Sequence, residues 1–122
     1  MIQVYKRLKK MREKYVDTIA KLYEYATTVY SKRTYAQWYD TKEGSYTFAS
    51  FKSECDSLSK KLTQYGIGSG DKVAILSQSM PNWSVAFFAT VVHGRISIPI
   101  LPDSSENEVT NIINHSESKV IF

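Results

Sequence analysis

The strongest constraint on this chain is a change of hydrophobic period near its middle. Phe48, Phe51, Cys55, Leu58, Leu62 and Tyr65 follow one another at steps of three or four residues, the repeat of a helix that buries one face. Thr47 stands before them as a good N-cap and Gly66 after them as a terminator, so the spacing predicts a helix over 48–64. Beyond Gly66 the stripe gives way to short apolar runs. Lys72-Val-Ala-Ile-Leu-Ser77 suits a buried strand, and Pro81 to His93 reads as a helix with Pro81 in its first turn and Gly94 at its end. Ile96-Ser-Ile-Pro-Ile-Leu101 is a second strand, and Pro99, having no N–H to give to a neighbour, places it at a sheet edge. Ser105 and Glu108 form a capping box ahead of Val109, Ile112 and Ile113, and Lys119-Val-Ile-Phe122 is a third strand.

Strands that alternate with helices pair in parallel through right-handed crossovers. The expected fold class is α/β, a partial Rossmann-like parallel βαβαβ unit. Two elements precede it. Val4, Leu8, Met11, Tyr15, Ile19, Leu22, Ala26 and Val29 recur at helical steps with no Gly or Pro among them, which predicts one long helix over 4–30. The aromatic and Thr-rich runs Arg33 to Tyr39 and Ser45 to Thr47 flank the polar Asp40-Thr-Lys-Glu-Gly44. They read as a β-hairpin with Gly44 at a positive-φ position. The chain thus divides into a basic amphipathic helix, 1–32, and the start of a larger domain, 33–122, whose parallel sheet is incomplete.

Hydrophobic residues are 43% of the 122 and charged residues 23%, enough apolar material for a core and too much for a disordered chain. That length accommodates one domain. No apolar run approaches the ~18 residues that cross a bilayer, and the single cysteine, Cys55, can form no intrachain disulfide, which reads as a cytoplasmic setting. The net charge of +4 is uneven: residues 1–33 hold nine basic and three acidic residues, so the remainder is mildly acidic. A basic arm on such a body argues against a nucleic acid partner. An amphipathic stripe most often packs on its own core. A basic one with five tyrosines between residues 5 and 30 is also suited to a partner helix or to peripheral contact with an anionic membrane through residues 4–30. A parallel sheet that stops at Phe122 leaves backbone groups and apolar faces uncovered, so a homo-oligomer is expected, with residues 4–30 contributing to the contact.

Gly66, Gly68 and Gly70 with Asp71-Lys72 resemble a phosphate loop in composition but not in order. Phosphate-binding glycines follow a strand and open a helix, whereas these follow a helix and open a strand. His93 and His115 each sit near a helix C-terminus without a second ligand-type residue at helical spacing, so a metal site is not expected. Cys55 lies on an apolar stripe with no base beside it, and no strand-to-helix elbow presents a serine nucleophile. The chain is expected to carry no catalytic, cofactor-binding or metal-ligating residue.

Several stretches nonetheless carry a resemblance. Ser45-Tyr-Thr-Phe-Ala-Ser-Phe51, Gly70-Asp-Lys-Val-Ala-Ile-Leu-Ser77, Met80-Pro-Asn-Trp83, Gly94-Arg-Ile-Ser-Ile-Pro99 and Ser116 to Phe122 together resemble the start of an adenylate-forming (AMP-binding) enzyme, most nearly a long-chain fatty acyl-CoA synthetase. The similarity covers 45–122 with the motifs in order. It implies an acid–thiol ligase that converts a fatty acid, ATP and coenzyme A (CoA) to acyl-CoA, AMP and pyrophosphate with Mg²⁺. The family's phosphate loop, nucleotide contacts, Mg²⁺-binding Glu and catalytic Lys would all lie beyond the equivalent of Phe122. The resemblance therefore implies an N-terminal scaffold that is inactive by itself. The competing reading is an independent small α/β module that binds a membrane or a partner protein through its basic helix.

Overall fold

The computed structural model describes residues 1–15, 17–39 and 44–122, and the side chains among them except those of residue 8 and residues 11–15. It opens with two helices, α1 (Ile2–Tyr15) and α2 (Ile19–Val29), where the apolar spacing predicted one. The interruption follows from Asp17-Thr18. Thr18 adopts extended backbone, φ −141°, and its side-chain oxygen accepts a hydrogen bond from the Lys21 N–H at 3.1 Å, capping α2. Short polar side chains satisfy a free helix N-terminus better than they fit a helix interior, and the Asp17–Lys21 ion pair crosses the first turn of α2.

Strands β1 (Thr34–Gln37) and β2 (Ser45–Thr47) form the expected antiparallel hairpin, with Gly44 at φ +98°. Positions 40–43 of the predicted connection lie outside the described residues. Helix α3 (Phe48–Gln64) follows at once. Thr47 and Ser50 cap it reciprocally, Thr47 Oγ1 accepting from the Ser50 N–H and Ser50 Oγ from the Thr47 N–H. Tyr65 closes the helix and Gly66 turns the chain at φ +77°.

The remainder alternates as expected: β3 (Lys72–Leu76), α4 (Pro81–Val91), β4 (Ile96–Ile100), α5 (Glu106–Ser116) and β5 (Val120–Ile121). The three strands are parallel in the order β4-β3-β5. Val73, Ala74 and Ile75 of the central strand are fully buried, and Pro99 lies on the edge strand β4. Ser105 and Glu108 cap α5 as the sequence predicts.

Tyr23 of α2, Phe51 and Cys55 of α3, and Val85 and Ala89 of α4 form one buried cluster. Tyr23 stacks on Phe88 with ring centroids 5.7 Å apart. The buried face of α2 is therefore built into the body of the molecule. A second cluster, Leu62, Ile67 and Val73, joins the end of α3 to the sheet. Helix α5 has no fully buried residue, so the sheet on its side is only half covered, with Ile96 and Ile121 exposed.

Arg95, just before β4, is only 5% exposed, a burial that nothing in the sequence pattern signals. Its Nε donates to Ile67 O at 2.9 Å, Nη1 to Ser59 Oγ at 2.9 Å and Ala89 O at 3.4 Å, and Nη2 to Thr63 Oγ1 at 2.8 Å and Ser59 O at 3.3 Å. All five partners are neutral oxygens. They come from the last two turns of α3, the last turn of α4 and the loop after α3, so the cation sits where two helix C-termini direct their partial negative charge. Its planar fork is what one side chain needs to reach all of them. Arg95→Met leaves these acceptors buried without their donor and should lower stability by about 2–4 kcal/mol. Arg95→Lys should recover only part of that. Urea unfolding followed by tryptophan fluorescence measures both, and an Arg95→Met midpoint equal to that of the parent would contradict the assignment.

Candidate functional site

The glycine-rich segment between α3 and β3 is shaped by its own hydrogen bonds. The Gly66 N–H donates to Thr63 O, the Ile67 N–H to Leu62 O, and the Gly70 N–H to Gly94 O at 2.8 Å. The Gly68 N–H donates to Asp71 Oδ2 at 2.8 Å, and Asp71 Oδ1 lies 2.7 Å from Lys119 Nζ at the start of β5. A phosphate loop holds its amides free for an anion. Here they are spent on carbonyls and on a carboxylate that belongs to the turn. Lys72 Nζ lies 3.8 Å from Oε2 of Glu117, the residue that caps the end of α5. The residues do not fit a nucleotide phosphate or its Mg²⁺. Gly94 is needed for a separate reason: its φ is +78°, and a Cβ there would stand 2.6 Å from Ser69 Oγ.

His93 and His115 are both exposed, His115 in the last turn of α5. Among the described residues no group of three His, Cys, Asp or Glu side chains is placed to hold a metal. Cys55 is buried against Val85 O, and burial pushes its thiol up to about 12, so it is not a thiolate at neutral pH. Burial also raises Tyr23 far above the ordinary phenol range. Tyr23 Oη donates to Lys52 O at 3.4 Å and to Asp56 Oδ1 at 3.5 Å, so the buried hydroxyl of the helical cluster is satisfied from α3.

Two open grooves flank β5. One, of about 740 Å³, is walled by Leu58, Leu62, Tyr65, Ile67, Val120 and Phe122, with Lys61 and Lys119 on its rim. The other, of about 380 Å³, lies beside Ser77 at the end of β3 and the first turn of α4, where Tyr46 donates to Asn82 Oδ1 at 2.9 Å. Carboxyl ends of parallel strands are where α/β sheets receive ligands. Glu54 is the carboxylate lining this second groove. The walls offer packing surface and hydrogen-bonding groups, Ser57 and Glu54 of α3 among them.

A family model described as AMP-binding enzyme matches residues 23–122. The chain belongs to that family. Among members of the family, it is 30% identical over 112 residues to a putative acyl-CoA synthetase, YngI, of Bacillus subtilis, covering 92% of this chain and 20% of that protein. It is 28% identical over 86 residues to fatty acyl-CoA synthetase A of Dictyostelium discoideum, covering 68% of this chain and 13% of that protein. The chain thus spans one-fifth or less of these relatives. Its fold matches the inhibitor-bound N-terminal domain of FACL13 from Mycobacterium tuberculosis with a TM-score of 0.76 and 26% identity, over 84% of this chain and 26% of that one. The α/β expectation and the adenylate-forming resemblance both stand. In this member of the family Arg95, within the quoted Gly94-to-Pro99 motif, is a buried polar centre to which the sequence assigned no role. One charged residue between a terminating glycine and an apolar strand is the available signal, and such a residue more often faces water.

Asp71 supplies a pH test of the turn. Its hydrogen bond from Lys119 and that from the Gly68 N–H hold its carboxyl below the ordinary value of 3.8. A carboxylate with a depressed folded-state pKa contributes stability that is present above its unfolded pKa and lost as pH falls through the folded one. Asp71→Asn should therefore be less stable than the parent at pH 7, and the gap should narrow on acidification from about pH 5 downward. Thermal melts across that range check it, and a gap independent of pH would remove the ion pair from the explanation.

Proposed function

We propose that this chain is the scaffold-forming start of a long-chain acyl-CoA synthetase. In the reaction it would serve, a fatty acid carboxylate attacks the α-phosphorus of ATP and pyrophosphate leaves. The sulfur of CoA then attacks the acyl carbonyl and AMP leaves, giving the thioester. The observation that carries this reading is the family match over residues 23–122, supported by relatives whose names are those of acyl-CoA synthetases.

The residues of this chain take no chemical part in that reading. The N–H groups of Gly66, Ile67, Gly68 and Gly70 are bonded to carbonyls and to Asp71, and its buried Cys55 and Tyr23 are neutral. What it contributes is a rigid central strand, β3, fixed by α3 and α4, from which a larger parallel sheet extends. The half-covered sheet face and the groove walls would be packed in the parent. In the isolated chain those surfaces favour association of copies, the homo-oligomer expected from the sequence.

The isolated chain should give no saturable heat on titration with Mg·ATP up to millimolar concentration, and a micromolar isotherm would contradict the scaffold role. A polypeptide that continues this stretch into the family's phosphate loop should form acyl-CoA from a long-chain fatty acid, ATP and CoA. Failure of that longer protein to release AMP with any fatty acid, short, medium or long, would defeat the ligase reading.

A further inference from the structure

The sequence left residues 4–30 suited to core packing, to a partner helix or to a membrane, and the fold divides those residues. Tyr23 of α2 is 3% exposed and packs with residues of α3 and α4, so one face of that helix is occupied. α1 is different. Met1, Ile2, Val4 and Tyr5 are at least 61% exposed, and Lys6, Arg7, Lys9 and Lys10 are exposed beside them. Among the described residues none of these four cations forms an ion pair. The sequence of α1 holds six basic residues and one acidic, Glu13, while the chain as a whole carries only +4. The rest of the molecule is therefore close to neutral on its acidic side, and the attraction it offers an anionic surface is concentrated in α1.

We propose that α1 docks the chain onto an anionic phospholipid bilayer, lying in the headgroup plane. An apolar set that includes an aromatic ring, interleaved with lysine and arginine, is the composition that enters the headgroup boundary while its cations meet lipid phosphates. No helix among the described residues is long and apolar enough to cross a membrane, so the contact is peripheral. A polyanion such as nucleic acid or an acidic protein segment would neutralise the cations but leave Ile2, Val4 and Tyr5 in water. A bilayer covers both, which is the charge and polarity match that selects it. The inference uses exposure and charge alone and stands whether or not the parent is an acyl-CoA synthetase.

The test uses the whole 122-residue chain and sedimentation with vesicles of phosphatidylcholine alone or mixed with phosphatidylglycerol. Binding to the mixed vesicles should exceed that to phosphatidylcholine by about tenfold or more, and should collapse in about 1 M salt, where the screening length is about 3 Å. Lys6→Glu with Lys10→Glu should weaken it by about twentyfold or more. Ile2→Ser with Val4→Ser and Tyr5→Ser should weaken it severalfold with every charge retained. All five positions are exposed, so both variants should melt at the parent temperature. Equal binding to the two vesicle types, or binding unchanged in both variants, overturns the proposal. So does tight binding to polyglutamate or DNA with none to vesicles, which would assign α1 to an acidic macromolecule instead.

Discussion

The structure depends on a buried cation with no carboxylate within ion-pair distance among the described residues. Removing a guanidinium from water is costly, and a bare buried charge would unfold a domain of this size. Arg95 is tolerated because its five donated hydrogen bonds end on oxygens whose lone pairs are already oriented by helices. Ser59 and Thr63 belong to the end of α3, and Ala89 to the end of α4. The helix ends thus supply the negative potential that an aspartate would otherwise give. In return the guanidinium ties the ends of α3 and α4 to the residue that precedes β4.

The glycine turn next to this joint has the same logic. Gly70 donates to Gly94 O, Ser69 Oγ also reaches Gly94 O, and the Ile96 N–H donates to Asp71 O. The segments before β3 and before β4 therefore enter the sheet as a pair. Lys119 brings in β5 by its bond to Asp71 and by its N–H to Lys72 O. All three strands are registered at one end by these few groups. At the opposite, carboxyl ends the Leu76 N–H donates to Phe122 O at 2.8 Å, and Ser77 and Phe122 border the second groove. A segment that resembles a ligand loop by composition is here the fastening of the sheet.

Most of the fold was legible because its signals are local. Caps at Thr47 and Ser105, terminators at Gly66 and Gly94, and the step of three or four along Phe51, Cys55 and Leu62 each act within a turn or two of helix, and each appears where the sequence placed it. The break before Ile19 was hidden by a coincidence of spacing. Tyr15 and Ile19 are four apart, so the apolar rhythm passes through Thr18 although that residue's oxygen caps a new helix. Arg95 was hidden for a different reason. Its partners lie up to 36 residues away in sequence, and only the packed helices bring their ends together. The burial of Cys55 was legible, since a thiol on an apolar stripe is buried by the same packing that makes the stripe.

The division of charge now has a structural meaning. Six basic residues lie in α1, outside the stretch matched by the family model, which begins at residue 23 within α2. The buried face of α2 packs with α3 and α4, so the start of the stretch matched by the family model does not coincide with the boundary between arm and body. It falls inside the molecule, in a helix whose first turn is capped by Thr18 and crossed by the Asp17–Lys21 pair. That cap allows α1 and α2 to be distinct elements while α2 stays anchored by Tyr23. A continuous helix over 4–30 would have carried the basic segment rigidly along the axis of α2. The interruption at Asp17-Thr18 frees the direction of the basic helix from that of the core, so the two can meet different surfaces.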